Sequence, residues 1–275
     1  MHKEEKYENM LGNLSLISDE EEQVAIILRE KYLQHTNDIS PKVHPKNTLY
    51  TKYIKRVLDI LISFPIFIIL LPFNFFFGIC TFFDVGKPIF YKQTRVGMNG
   101  KKFTIVKFRN MNNKTDGNGK LLSPSQRVTR FGKIMRKFSL DELLNFWSVL
   151  KGDMSIIGPR PLPVFIYDRM SDRHKMRVCV RPGLECPRVI SLDYEDTCKY
   201  QRTYENDVWY VENVTFIQDV RMVLLLVKMV FNLEKRDEQA KGKGVSYFVG
   251  YDQDGHAMSM NKYRETIAKE QENVE

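Results

Sequence analysis

The pattern of apolar and polar positions is dominated by one long apolar run at residues 57–83, in which Asp59 is the only charged residue. A helix rises about 1.5 Å per residue, so this run exceeds what the roughly 30 Å hydrocarbon core of a bilayer requires. Pro65 and Pro72 lie inside the run, and a proline removes a helical hydrogen bond and kinks or breaks the helix. The pattern therefore predicts a membrane helix broken at Pro72, with arms that are each too short to span.

Two courses are open to such a helix, a re-entrant one within a single leaflet and a spanning one. Lys52, Lys55 and Arg56 precede the run, and the positive-inside rule places that flank in the cytoplasm. The chain after the run is also rich in Lys and Arg and has no disulfide pattern, as expected of a cytoplasmic domain. We therefore favour the re-entrant course. A spanning helix stays the alternative, because spanning helices also contain prolines.

The rest of the pattern predicts an α+β fold, a mostly helical membrane-associated domain with one β-hairpin. Residues 89–96 and 102–111 alternate as strands and are joined by "GMNG", in which Asn99-Gly100 is a tight-turn signal. Helical spacing occurs at residues 19–33, 128–136, 140–151, 164–177 and 216–231. We divide the chain into an accessory arm (residues 1–50), a re-entrant membrane helix (51–84), a cytoplasmic catalytic domain (85–232) and a charged, weakly structured tail (233–275).

Composition and net charge restrict the classes of partner that the protein is expected to bind. The net charge is +8, from 42 Lys plus Arg against 34 Asp plus Glu, which suits a partner that carries phosphates. A nucleic-acid partner is not expected, because the chain lacks an aromatic RNP stretch, zinc fingers and a recognisable recognition helix. The four cysteines form no C-x-x-C pair and the five histidines are scattered, which argues against a metal cluster and a Cys/His nucleophile pair.

The stretch "FSLDELL" places two adjacent carboxylates, Asp141 and Glu142, where a helix is predicted to begin. Ser139 and Glu142 have the spacing of a capping box, which explains both residues without any catalysis and explains Asp141 only weakly. A helix start also attracts phosphate, and cations such as Arg136 and Arg160 lie close in the sequence. A carboxylate among cations stays ionised, and with a divalent ion it could attack phosphorus. By spacing alone, capping is the favoured interpretation.

Longer motifs change that balance. In order along the chain they are "YIKRVLDIL", the proline-broken apolar run, "IFYKQTRVGMNGKKFTIVKFRNM", "RFGKIMRKFSLDELLNFWSVLKGDMSIIGPRPL", "RPG" and "ENDVWYVEN". This order resembles the bacterial sugar transferases, the monotopic phosphoglycosyl transferases. The resemblance covers residues 53–231 and is most specific at residues 131–161.

The resemblance implies transfer of a sugar-1-phosphate from a nucleotide sugar, usually a UDP-sugar, to undecaprenyl phosphate, which starts capsule, exopolysaccharide or O-antigen assembly. It implies that Asp141 attacks the phosphorus to give an aspartyl phosphoglycosyl intermediate and UMP. Glu142 would support metal binding or the acceptor step, with Asp141 and Glu142 as ligands of Mg²⁺. The implied substrate-binding residues are Arg109, Arg136, Arg160, Arg181 and Asp207. The implied location is the inner leaflet of the bacterial cytoplasmic membrane, with the catalytic domain facing the cytoplasm.

One departure leaves an alternative open. After the "RPG" at residues 181–183 the family usually continues with a Thr-Gly-Trp-Ala-Gln-like stretch, whereas this chain reads "LECPRVISLDYEDTC". The alternative function is a catalytically inactive, membrane-anchored binding or scaffolding homologue. The sequence names neither the sugar nor the oligomeric state, for which a homodimer is one option.

Overall fold

The structure is a computed structural model that describes residues 18–117, 119, 121–189, 198–231 and 247–272. The helices are α1 (Asp19–Ile39), α2 (Lys55–Val85), α3 (Pro124–Arg127), α4 (Arg130–Lys137), α5 (Asn145–Lys151), α6 (Val164–Asp168), α7 (Asp172–Lys175), α8 (Lys199–Asn213), α9 (Phe216–Phe231) and α10 (Met260–Glu272). The strands are β1 (Phe90–Val96), β2 (Lys102–Phe108), β3 (Ser155–Ile157), β4 (Gly183–Glu185), β5 (Phe248–Tyr251) and β6 (Ala257–Ser259). The predicted mostly helical chain with a β-hairpin is confirmed.

Helix α2 is the predicted long apolar helix, and its burial pattern is the reverse of that in a soluble core. Its buried residues are polar, namely Lys55, Asp59, Ser63, Asn74 and Thr81. Its apolar side chains are exposed, with Phe75 at 73% and Phe83 at 81%. With the π-helical turn before it, α2 forms a 36-residue helix, Tyr50–Val85, that is long and apolar enough to cross a membrane. A large exposed apolar surface of this kind indicates contact with lipid.

The two prolines lie within α2 and do not end it. Pro65 and Pro72 are both inside the helix, and the chain is helical on either side of each. Helical structure therefore continues past Pro72, because the surrounding turns persist without Pro72's own hydrogen bond, and the kink at Pro72 stays a prediction. The re-entrant course stays a prediction.

Both ends of α2 are bonded to the same folded domain. At its start, Arg56 donates to the carbonyls of Val149 and Leu150 at 2.6 and 2.8 Å. At its end, the carbonyl of Val85 accepts from the guanidinium of Arg109. The two ends of the apolar helix are thus held by polar groups of one domain.

Strands β1 and β2 form the predicted hairpin, with Phe90 opposite Phe108 in an antiparallel register. Asn99 and Gly100 in the turn have positive φ angles of 55° and 75°, the conformation that Asn-Gly turns favour. Ile105 of β2 packs in the core against α5. The hairpin therefore holds one wall of the region that contains the carboxylate pair.

Two of the predicted helices are wrong in their extent. Residues 140–151 are not one helix, because a 3₁₀ turn at Leu140–Glu142 precedes α5. Residues 164–177 are divided into α6, α7 and the start of a 3₁₀ turn at Met176–Cys179. The division follows from Ser171, whose side chain accepts from the backbone N–H of His174 and starts a new helix. By contrast, α9 has the predicted bounds.

Helix α1 and residues 247–272 pack together, so the predicted weakly structured tail is wrong for residues 247–272. Strands β5 and β6 pair antiparallel and lie against α1, where Leu28 packs with Val249 and Met258. On the other side Phe248 packs with Phe165 and other residues of α6 and α8. The sequence pattern missed this core because the strands are short and their partner helix lies at the opposite end of the chain. Tail residues 233–246 lie outside the described residues.

We expect the C-terminal hairpin to contribute substantially to stability. Phe248 is 0% exposed, and Phe248→Ala should lower the free energy of unfolding by about 3–5 kcal/mol, because it leaves a cavity between the hairpin and α8. The measurement is the melting temperature of the detergent-solubilised protein. Gln253→Ala, in the exposed turn of the same hairpin, is the control and should have the melting temperature of the wild-type protein. Equal melting temperatures of the two variants would show that this hairpin is not part of the hydrophobic core.

Candidate active site

Asp141 and Glu142 lie in the 3₁₀ turn between α4 and α5. Ser139, which precedes this turn, has left-handed backbone angles (φ 54°, ψ 27°), and its side chain makes no capping hydrogen bond. The predicted capping box is therefore wrong, because a capping serine needs an extended backbone. The left-handed conformation costs a non-glycine residue roughly 1–2 kcal/mol, and such strain clusters at functional sites.

Glu142 is held by two cations. Its Oε1 lies 2.6 Å from Lys107 Nζ, and Arg160 NH2 donates to Oε1 and Oε2 at 2.6 and 2.8 Å. Burial by itself raises the pKa of Glu142, but Arg160 and Lys107 outweigh burial and lower this pKa to about 2. Glu142 is therefore ionised at neutral pH and positions the two cations.

Asp141 has a different environment. It is 8% exposed, and Asn110 Nδ2 donates a hydrogen bond to its Oδ2 at 2.9 Å. Burial, assisted by the charge of Glu142, raises the pKa of Asp141 to about 6, while Lys107 and Arg136 oppose the rise. Its carboxylate is thus mostly ionised at neutral pH and, unlike that of Glu142, forms no ion pair with a cation among the described residues. Neighbouring carboxylates with separated pKa values are typical of sites in which each has its own role.

Arg136 and Arg160, two of the predicted substrate ligands, do lie at the carboxylate pair. Arg136 Nε donates to Asn110 Oδ1 at 3.1 Å and reaches Asp141 through this amide. Arg160 bridges Glu142 and Glu185, with NH1 3.0 Å from Glu185 Oε2. The structure therefore brings four of the predicted residues together.

Strands β3 and β4 set the position of Arg160. They pair in parallel, and a Cβ on Gly183 would lie 2.2 Å from the backbone nitrogen of Gly158. Only glycine allows the two backbones to approach this closely, which explains the glycines of "GPRP" and "RPG". The carbonyl of Arg160 also accepts from Arg177 NH2 at 2.8 Å. Arg160 thus projects from a rigid frame.

A small cavity opens beside Glu142. Its lining residues are Arg95, Ile105, Lys107, Glu142, Asn145, Met154, Arg160, Pro161, Gly183 and Leu184. Three cations and one carboxylate in a lining of this kind suit the phosphates of a ligand. Asp141 is the chain neighbour of Glu142 and lies next to this lining.

Arg109 and Arg181 do not contact the carboxylate pair. Arg109 donates to the carbonyls of residues 85–87, at the end of α2. Arg181 Nε donates to the carbonyl of Gly152 at 3.3 Å, just beyond the C-terminus of α5. Carbonyls at a helix C-terminus carry partial negative charge, so both guanidinium groups act as helix caps here.

Asp207 is also away from the pair. It is 1% exposed and lies 2.7 Å from Arg177 NH2, the group that donates to the carbonyl of Arg160. Burial raises the pKa of Asp207 to about 6, against the opposing charge of Arg177. Its contact with the site is indirect and supports the Arg160 loop.

Sequence reasoning missed Lys107, Asn110 and Glu185. Lys107 and Asn110 lie in "VKFRN" on either side of Arg109, and the resemblance implies Arg109 as the substrate-binding residue of this stretch. The strand pattern placed a cation at each of residues 107 and 109 without showing which one meets a carboxylate. Glu185 lies in the altered segment after "RPG", and residues 190–197 of that segment lie outside the described residues.

The donor set at the pair fits a magnesium ion that arrives with a phosphate ligand. Two carboxylate residues are adjacent in the chain here, and both oxygens of Glu142 already bind cations of the chain. Mg²⁺ is usually bound by one or two carboxylates together with substrate phosphates and water. Asp141 and Glu142 therefore suit a shared ion better than a resident one.

Comparison with known proteins adds independent information. A model of the family described as bacterial sugar transferase matches residues 50–233. The uncharacterized sugar transferase EpsL of Bacillus subtilis is 38% identical over 146 residues, covering 53% of this chain and 71% of that protein. The UDP-N-acetylgalactosamine-undecaprenyl-phosphate N-acetylgalactosaminephosphotransferase of Aeromonas hydrophila is 34% identical, covering 65% of this chain. The UDP-glucose:undecaprenyl-phosphate glucose-1-phosphate transferase of Escherichia coli is 32% identical, covering 64% of this chain.

Coverage of these relatives differs. The chain spans 44% and 40% of the lengths of the Aeromonas and Escherichia proteins. The matched region contains the carboxylate pair, the cavity and α2, whereas α1 and the hairpin β5–β6 lie outside the family match.

Proposed function

Because the chain belongs to the bacterial sugar transferase family, we propose that it transfers a sugar-1-phosphate from a UDP-sugar to undecaprenyl phosphate. As a phosphoglycosyl transferase it would start the assembly of a capsule, exopolysaccharide or O-antigen glycan. The observation that carries the proposal is the pair of unlike carboxylates beside a cationic cavity, in a domain attached to an apolar membrane helix.

The reaction takes two displacements at one phosphorus. A carboxylate oxygen of Asp141 forms a bond to the phosphorus that carries the sugar, and the bond from this phosphorus to the bridging oxygen breaks, which releases UMP. A phosphate oxygen of undecaprenyl phosphate then attacks the aspartyl phosphoglycosyl intermediate and releases Asp141. The products are UMP and undecaprenyl diphosphate sugar.

The cations of the cavity supply what such a displacement needs. Phosphoryl transfer depends mainly on positioning and on neutralising the charge of the transferred group. Arg160 and Lys107 are held by Glu142 on the cavity wall, where they can donate hydrogen bonds to phosphate oxygens. Mg²⁺ bound by Asp141 and Glu142 would add positive charge at the diphosphate.

The attachment of α2 supports the re-entrant course. A straight helix of 31 residues would place its ends about 46 Å apart, across the bilayer from each other. Polar groups of one domain bond to both ends, through Arg56 at the start and Arg109 at the end. A domain with charged residues cannot follow the helix through hydrocarbon, so both ends belong on the same side of the membrane.

Helix α9 supports the same orientation. Asp219 in its first turn bonds to Lys55 at the start of α2, with Nζ and Oδ2 2.6 Å apart. Ile217 and Leu224 on its outer face are 79% and 66% exposed. An exposed apolar face beside a membrane helix fits a helix that lies in the bilayer interface. We place the domain at the inner leaflet of the cytoplasmic membrane, where a nucleotide sugar is available.

Cysteine accessibility tests this topology. We expect Asn47→Cys and Lys101→Cys, on either side of α2 and both exposed, to be shielded from an impermeant thiol reagent in intact cells. Each is introduced into a protein whose four native cysteines are replaced, and both should react after the cells are opened. Labelling of only one position in intact cells would show that α2 spans the membrane.

The activity is tested by UMP release from a panel of UDP-sugars, with Mg²⁺ and undecaprenyl phosphate present. We expect one or a few donors to give UMP together with a lipid-linked sugar. Absence of both products for every donor would favour the inactive scaffolding alternative. The complete set of Asp141, Glu142 and their cations argues against that alternative.

A further inference from the structure

We propose that Asn110 is a positioning residue for Asp141. The side-chain amide of Asn110 holds Oδ2 of the Asp141 carboxylate and leaves Oδ1 of that carboxylate to attack the substrate phosphorus. The inference rests on the proposed function and deepens it. It assigns a role to a residue that stands beside the predicted Arg109 and that no motif spacing singled out.

The orientation of the Asn110 amide follows from its two partners. Its Oδ1 lies 3.1 Å from Arg136 Nε, and its Nδ2 lies 2.9 Å from Asp141 Oδ2. A guanidinium can only donate hydrogen bonds, and an ionised carboxylate can only accept them. The amide oxygen must therefore face Arg136, and the amide N–H group must face Asp141.

The backbone of Asn110 is fixed as well. Arg109 separates it from the end of β2, and its carbonyl accepts from the backbone N–H of Thr129 at 3.4 Å. A Cβ on Gly132 of α4 would lie 2.1 Å from this carbonyl oxygen, so the two backbones are in close contact. Asn110 is 8% exposed and has little freedom to move away from Asp141.

The amide separates the nucleophile from a cation. Glu142 is bonded directly to Lys107 and Arg160, which tie up both of its oxygens. Asp141 instead receives the neutral donor of Asn110, and among the described residues no side chain donates a hydrogen bond to its Oδ1. A carboxylate held at one oxygen by a neutral donor keeps the other oxygen available for bond formation, and displacement by about 1 Å can cost about 10²-fold in rate.

Asn110→Asp is the discriminating variant. It keeps the shape and the oxygen that accepts from Arg136, and it replaces the N–H donor by an oxygen that repels Asp141. We expect kcat for UMP release to fall by about 10²-fold, with KM for the UDP-sugar within about threefold of wild type. Asn110→Ala, which removes the donor without adding a charge, should lose less. Asn113→Asp, on an exposed neighbouring position, is the control and should keep the wild-type kcat.

A purely structural role for Asn110 predicts a different result. Asn110→Asp would then match or exceed the activity of Asn110→Ala, or the loss would lie in KM, and either result would overturn the proposal. Melting temperatures of all variants are measured alongside, and a kcat loss without a melting shift supports positioning. If the wild-type protein releases no UMP, the proposed function itself is contradicted, and this result is distinct from any effect of the Asn110 variants.

Discussion

Asp141→Asn should abolish UMP release, with a loss of at least about 10⁴-fold, because an amide cannot act as the nucleophile toward phosphorus. The substitution keeps the shape of the side chain, and its oxygen can still accept from Asn110, so the turn at Leu140–Glu142 should persist. The measurement is UMP release from the active UDP-sugar without acceptor, together with mass spectrometry of the protein. Wild-type protein should carry a sugar-phosphate adduct on the peptide that contains Asp141, and the variant should carry none.

A matched control separates this effect from a general loss of charge. Asp172→Asn removes a carboxylate that is 77% exposed and pairs only loosely with Lys175, so it should keep the wild-type rate. The covalent mechanism is wrong if Asp141→Asn releases UMP as fast as Asp172→Asn does. A wild-type adduct found on another residue would likewise contradict the assignment of Asp141.

Arg160→Ala is the second change with a large expected effect, a fall in kcat/KM of about 10²–10³-fold. It removes the cation that bridges Glu142 and Glu185 on the cavity wall, and with it the charge that faces the phosphates. Arg160→Lys should recover only part of the loss, because an ammonium cannot make the two-pronged contact that a guanidinium makes. The measurement is the donor dependence of UMP release for both variants.

The control for Arg160 is Arg264→Ala. Arg264 is 57% exposed and bonds to Glu20 across α10 and α1, so its loss should not change kcat/KM. Full activity of Arg160→Ala would contradict a role for Arg160 in phosphate binding. Wild-type activity of Arg160→Lys would show that the two-pronged geometry of the guanidinium at this position is unimportant.

The two carboxylates illustrate how adjacent residues acquire different chemistry. Cations lower the pKa of Glu142 to about 2, whereas burial raises that of Asp141 to about 6. Glu142 is thus tied to Lys107 and Arg160 as part of the frame of the cavity. Asp141 is left as the carboxylate that can form a new bond.

Much of the candidate site was predictable from local sequence. The pair Asp141 and Glu142, the cations Arg136 and Arg160, the hairpin and the long apolar helix α2 all follow from motifs of adjacent residues. The capping interpretation of Ser139 was equally local and was wrong, because packing places Ser139 in a left-handed conformation. Spacing rules describe what a segment prefers, and tertiary contacts can override that preference.

The sequence by itself determined the long apolar helix, the hairpin and the position of the carboxylate pair, since these depend on residues that are near one another in the chain. Only the tertiary structure decided that Lys107 and Asn110 meet the pair while Arg109 and Arg181 cap helices. It alone also joined α1 to the hairpin β5–β6 in one core. Contacts of this kind join residues far apart in the chain, and a periodicity of 2 or 3.6 residues carries no information about such partners.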